Sequence, residues 1–259
     1  MFPKISAVKK TATALLSGIW PKAIAAVIIP FAFLLILLNV TALLEGVFVT
    51  PNIILFLRIA LLFALVFLGF PLFLGVIRFF WGISAGSQLN LSEVFYYYNS
   101  KQNIVNSLNF TVVLLGRLSV EFIVAIIPSV VLEYISNSAG TLFQDSTAPI
   151  WLSNVWIFAV ILRVLAIVFI IFVSLKYYLA PFLFVSGNNL NCLEILEKSR
   201  AISKYSISYF WLLFLGLLGW ILLSIFVVPL IFTLPYFLMC YVVHSRYSVV
   251  FYNQKIKKD

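Results

Sequence analysis

Residues 53–81 read IILFLRIALLFALVFLGFPLFLGVIRFFW, with Arg58 and Arg78 as the only charged side chains. The run outlasts the roughly 20 apolar residues that cross a hydrocarbon core. It reads as a membrane-crossing helix, because a helix satisfies its own backbone where no water is at hand. Pro71, set between Gly69 and Gly75, predicts a kink, since proline removes a backbone donor and crowds the preceding turn.

Five further apolar stretches flank this one, at residues 22–44, 107–132, 150–175, 209–228 and 236–250. The fold class they predict is an all-α polytopic membrane protein with about six transmembrane helices, a single integral domain over 1–259. Composition agrees: 64% of residues are hydrophobic and 10% charged, whereas soluble domains carry about 25% charged residues. A soluble chain of this length cannot hide so much apolar side chain. A turn is expected at 229–235, around Pro229 and Pro235, and a polar loop at 136–147.

Basic residues orient the spans. The N-terminal side holds Lys4, Lys9, Lys10 and Lys22, and the connector after the second span holds Arg78 and Lys101. The connector after the fourth holds Lys176, Lys198, Arg200 and Lys204, and the tail holds Arg246, Lys255, Lys257 and Lys258. The alternate connectors at 45–52, 133–149 and 229–235 hold no Lys or Arg. Both termini are therefore expected in the cytoplasm, in the cell (inner) membrane. Residues 5–20 place Ile5, Val8, Ala12, Leu15, Leu16 and Ile19 on one helical face, as in a short helix lying on the membrane surface. The start MFPKISAVKK reads as a cytoplasmic lead-in rather than a cleavable signal. Trp20, Trp81 and Trp211 fall at the inner boundary and Trp151 at the outer one, as interfacial anchors do.

The two longer cytoplasmic connectors align without gaps, GSQLNLSEVF from Gly86 with GNNLNCLEIL from Gly187. At the same offset Pro128 matches Pro229. The pattern is an internal hairpin repeat over 53–132 and 150–230, each copy carrying a cytoplasmic amphipathic helix between two spans. Asn90 with Glu93, and Asn191 with Glu194, have the spacing of a helix N-cap and its capping-box acid. Glu194 and Lys198 are spaced for an i, i+4 pair. These residues start two surface helices, and such helices can also dock a cytoplasmic protein partner.

From Tyr178 onward the chain carries LEILEKS at 193–199, Gly219-Trp220, Pro235-Tyr236 and Phe251-Tyr252. Over this last third it resembles bacterial multi-spanning membrane proteins, the YciC-like proteins and the membrane domains attached to some glycerophosphodiester phosphodiesterases. It departs from them in lacking a glycine after Ser199 and in a less glycine-rich turn before Pro235. The resemblance implies a helical membrane domain with no settled activity and no catalytic residue.

Arg58, Arg117 and Arg163 lie inside predicted spans. Arg58 is close enough to the outer end of its helix to snorkel. Arg117 and Arg163 lie deeper, where an unpaired charge costs at least about 2.5 kcal/mol. Glu121, one turn after Arg117, is expected to serve one or both of them. Two accounts of an Arg117–Glu121–Arg163 cluster stand side by side: a structural ion pair that fixes helix register, or a net-positive site for an anionic group such as a lipid phosphate.

No pair of deep carboxylates offers acid/base chemistry. The lone His244, expected to cap or to meet solvent, excludes a His-rich metal site, and no P-loop occurs. Cys192 and Cys240 sit in different compartments of the topology, which excludes a disulfide. The net charge of +9 is spread by topology rather than clustered, so no nucleic-acid partner is expected. No catalytic residue, metal or cofactor is assigned. The expected function is a non-catalytic transport-related, lipid-organising or assembly component whose partners are the bilayer, an anionic lipid or a cytoplasmic protein. The alternative is a small secondary transporter or channel with an anion-favouring Arg/Glu cluster.

Overall fold

The computed structural model describes residues 4–48, 50–87, 90–142, 150–187, 191–224 and 227–256. Among them every regular element is helical. In chain order these are α1 (Ile5–Leu16), α2 (Trp20–Val47), α3 (Pro51–Ala64) and, after a π-helical turn at Leu65–Gly69, α4 (Phe70–Ser84). A 3-10 segment, Leu91–Tyr98, leads to the long α5 (Lys101–Leu142). Next come α6 (Ile150–Ser174), a 3-10 turn at Leu175–Tyr177, α7 (Ala180–Val185), α8 (Cys192–Gly216), α9 (Leu218–Leu223) and α10 (Val227–Ile256). Four helical stretches are long and apolar enough to cross a membrane: Trp20–Val47, Pro51–Ser84, Lys101–Ile135 and Ile157–Val185.

Prolines mark the starts of several helices. Pro21 and Pro51 occupy first-turn positions of α2 and α3, where the missing N–H costs nothing. At Pro71 the expected irregularity takes the form of the π turn at Leu65–Gly69. The Tyr98 hydroxyl donates to the Leu68 carbonyl within that turn. Pro30, Pro128 and Pro235 lie inside α2, α5 and α10.

The last of these corrects the expected turn at 229–235, since α10 runs through it. The expected loop at 136–147 is also shorter, because α5 stays helical to Leu142 and 143–149 fall outside the described residues. The fifth stretch is broken: α8 ends at Gly216 and α9 restarts at Leu218. The carbonyl of Gly216 receives the Lys9 ammonium instead.

The chain forms two compact units, 1–112 with 179–259, and 113–178. The core of the first unit gathers Phe79 and Phe80 of α4, Phe110 of α5, Leu183 of α7, Ile195 and Ile202 of α8, and Met239 and Cys240 of α10. Phe110 and Phe184 stack at 4.4 Å and 13°, and Tyr97 stacks on Phe184 at 5.7 Å. Helix α1 packs on α10 and buries Val8, Ala12 and Leu16. Its apolar stripe thus faces protein, not the membrane surface expected of it. In contrast, α3 has no buried residue and α2 buries only Ala23 and Ala26. In the second unit α5 and α6 run antiparallel, joined by an ion pair between Glu133 and Arg163.

Candidate functional site

Among the described residues, Arg58, Arg78, Arg117 and Arg163 each pair with a carboxylate. In the second unit, Arg117 Nε donates to the Tyr177 hydroxyl at 3.3 Å, and that hydroxyl donates to Glu121 Oε1, also at 3.3 Å. Arg117 Nε lies 3.8 Å from Glu121 Oε1. Glu121 Oε2 is buried and has no hydrogen-bond partner among the described residues. Arg163 pairs with Glu133.

The expected Arg117–Glu121–Arg163 cluster is therefore divided: Arg163 takes a different carboxylate, one that becomes helical because α5 extends past it. Glu121 and Glu133 are twelve residues apart on α5, about 18 Å along the axis. That is less than the roughly 30 Å of a hydrocarbon core. If α5 crosses a bilayer, the two pairs reach its two faces only through the length of their side chains.

The first unit spaces its pairs more widely. Arg58 Nε and Nη2 bond to the two oxygens of Glu45 at 3.1 and 3.4 Å, near the α2–α3 connection. Arg78 Nε bonds to Glu93 Oε2 at 3.0 Å, and its guanidinium lies 3.5 Å from the Tyr96 ring centroid. Twenty residues separate Arg58 from Arg78, about 30 Å of helix, and those between are all apolar or glycine and proline. This spacing matches the hydrocarbon thickness. Glu45 gives Arg58 a carboxylate partner beside the solvent reach expected of it.

Arg78 decides the fate of the first connector. Asn90 starts the 3-10 segment with an extended backbone, its side chain makes no cap bond, and the Glu93 carboxylate that would accept from the Asn90 N–H is held by Arg78. The expected capping box is absent there. Asn191 and Glu194 do form one: the Asn191 N–H donates to Glu194 Oε2 at 3.0 Å at the start of α8. With its carboxylate so engaged, Glu194 makes no ion pair with Lys198 among the described residues.

The matched glycines behave alike, Gly86 at φ +81° and Gly187 at φ +75°, the left-handed conformation that ends a helix at little cost for glycine. Gly75 is needed for another reason: a Cβ there would collide with the Val94 carbonyl of the connector. Burial pushes the Tyr97 phenol well above its ordinary range, opposed by the Arg78 charge, so the ring stays neutral in its stack.

His244 is buried at 3% exposure rather than solvated. Cys192 and Cys240 are both free thiols. Trp20 contacts Phe232 at 6.2 Å, and Trp81 lies beneath the Arg246 guanidinium at 5.6 Å. The side chain of Trp151 lies outside the described residues.

Sequence reading passed over Tyr177, Glu133, Glu45 and the Gly82–Gly86 stretch GISAG, which has the G-x-S-x-G spacing of hydrolase nucleophiles. That motif acts on a strand-to-helix elbow. Here Ser84 is the last residue of α4, its hydroxyl donates to the Trp81 carbonyl at 2.6 Å, and Arg246 donates to Ser84 Oγ at 3.2 Å. The hydroxyl closes a helix end. No group of three or more metal-binding side chains occurs among the described residues.

The architecture defines an all-helical protein with several membrane-length helices and ion-paired, not constellated, polar residues. Within that class the chain belongs to the family described as protein of unknown function (DUF975), which it matches over residues 1–257. This match covers nearly the whole chain, and it does not bear out the YciC-like resemblance expected over the last third. No curated protein and no solved structure is detectably similar to it.

Proposed function

We propose that this is a non-catalytic multi-pass protein of the cell membrane, with both termini in the cytoplasm, acting as a lipid-organising or assembly component. One observation carries the reading: the most apolar window of each membrane-length stretch is no more than 17% buried. Helix α3 exposes every residue at least partly and α2 buries two alanines, while α4 buries eight residues, Phe79 and Phe80 among them. Hydrocarbon is as apolar as leucine, so helices in it gain little by packing together. Faces left this open are suited to lipid or to another membrane protein.

The C-terminal helices support the fifth and sixth membrane helices of this reading. Exposed residues of α8 are polar at Glu194, Glu197, Arg200 and Lys204 and become apolar at Leu212 and Leu215, then at Leu222 and Leu223 of α9. The return through α10 keeps both ends on one face, the face that the basic residues mark as cytoplasmic.

The alternative, a small secondary transporter or channel, draws on the Arg117–Tyr177–Glu121 chain and the unpartnered Glu121 Oε2. Proteoliposomes separate the two readings. Chloride and phosphate efflux from vesicles holding the wild-type protein should equal that from empty vesicles. Efflux above that baseline that disappears in Arg117→Gln would replace the lipid-organising reading with the transporter.

A further inference from the structure

Helix α1 has 12 residues, a length that is marginal for an isolated helix in water, so what it rests on holds it. Its apolar stripe of Val8, Ala12 and Leu16 is buried against α10. A second contact is polar. At the break between α8 and α9 the Trp220 N–H turns to the Leu217 carbonyl at 2.9 Å, and the Gly216 carbonyl loses the donor that a continuous helix would give it. The Lys9 ammonium donates to that carbonyl. Gly216 has no side chain to obstruct the approach, since a Cβ there would lie 3.3 Å from both Lys9 Nζ and Ile5 Cγ2.

Around this contact α1 closes over two features of the first unit. One is a cavity of about 420 Å³ lined by Thr13 of α1, Trp20, Trp220 of α9, and Pro229, Phe232 and Tyr236 of α10. The other is the side of α10 that carries Tyr236, Cys240, Val243 and Tyr247, spaced to share one helical face. Tyr236 shares the cavity with Thr13, and Val243 and Tyr247 share a second hollow with Thr11 and Leu15. Cys240, between them, is 0% exposed. At its C-terminal end α1 is joined to α2 through Gly18 at φ +82°, with open space where a Cβ would stand.

We propose that α1 is a latch on the broken helix: Lys9 supplies the donor missing at Gly216, and release of α1 about Gly18 opens the aromatic cavity and uncovers Cys240. A carbonyl without a donor is costly wherever water is scarce. The bond that satisfies the break is therefore also the bond that holds α1 down. The donor is a side chain on a separate, hinged element, so the two ends of the break are tied together only while α1 is docked.

The chain has two cysteines, and Cys192→Ser leaves Cys240 as the single thiol, a reporter on α1. Maleimide labelling of this detergent-purified full chain should be slow. Lys9→Met keeps the apolar stem and removes the ammonium, and it should speed labelling about tenfold, the effect of losing one charge-assisted hydrogen bond on the open population. Gly216→Val leaves Lys9 intact but fills its space, and should do the same. Lys10→Met, on the exposed side of α1, should leave the rate unchanged. Hydrogen exchange in Lys9→Met should rise at 5–16 and 213–221 and stay native at 192–206. Labelling of Lys9→Met at the wild-type rate would overturn the latch. So would exchange that rises as much at 192–206, which is general unfolding and not release. Equal acceleration by Lys10→Met would overturn the part assigned to the Gly216 contact and leave only net charge.

Discussion

The two connectors begin alike and end differently. Each leaves a helix through a left-handed glycine, Gly86 or Gly187, and each resumes helical structure after an asparagine with an extended backbone, Asn90 or Asn191. Beyond that point the first becomes a 3-10 segment and the second the α-helix α8. The acid three residues on makes the difference. Glu93 is drawn to Arg78, while the position matching Arg78 in the second copy is Leu179, so Glu194 is left to cap its own helix. A capping box is worth about 1 kcal/mol, and a charge-assisted bond to a half-buried arginine competes with it at about 1.5–3 kcal/mol. Local sequence sets the start of each connector, and one distant side chain sets the kind of helix that grows from it.

The strongest way to break this account is at Gly75, whose counterpart in the second copy is Lys176. The first connector lies so close to α4 that a methyl group at Gly75 meets the Val94 carbonyl, a rigid neighbour. Gly75→Ala is expected to destabilise the first unit by about 3 kcal/mol, the upper end of overpacking effects. Thermal unfolding in detergent should show the loss, and hydrogen exchange should show it centred on 91–98. A stable Gly75→Ala protein with native exchange would mean that the connector does not rest on α4.

Next in size is the Arg78–Glu93 pair. Both side chains are about a third exposed, which places the cost of Arg78→Leu near 1–2 kcal/mol, with solvent screening taken into account. The substitution also makes the first copy resemble the second. Glu93 is then free to reach the Asn90 N–H, and amide protection at the start of 91–98 should rise relative to the rest of the unit. A double-mutant cycle with Glu93→Gln measures the pair alone, and a coupling near zero would remove Arg78 as the cause of the difference.

The same contrast explains how much was legible in the sequence. Membrane-length helices follow from uninterrupted apolar runs, and the cap at Asn191–Glu194 from a four-residue spacing, since both are local. The cap expected at Asn90–Glu93 failed because Arg78, outside that window, holds the acid. Glu133 looked like a loop residue because polar 136–147 suggested the end of a span, yet α5 continues beside α6 and brings Glu133 to Arg163. The turn expected around Pro235 failed because that proline is tolerated inside α10. Tyr177, which the sequence does not single out, links Arg117 and Glu121 because α5 and α6 pair in antiparallel register, which spacing within a single helix does not reveal.

The smallest effect sharpens the comparison most. Asn191→Ala removes a working cap and should cost about 1 kcal/mol, seen as a lower unfolding temperature and as faster exchange in the first turn of α8. Asn90→Ala removes a side chain that caps nothing and should stay within the roughly 0.5 kcal/mol typical of surface substitutions. The asymmetry should close when Arg78 is absent: in an Arg78→Leu background, Asn90 and Glu93 can form the box that Asn191 and Glu194 already form, and Asn90→Ala should then approach the cost of Asn191→Ala. If Asn90→Ala costs the same with and without Arg78, the two connectors differ for a reason that lies in their own residues, Tyr96 and Tyr97 against Glu197 and Lys198, and not in the competition for the carboxylate.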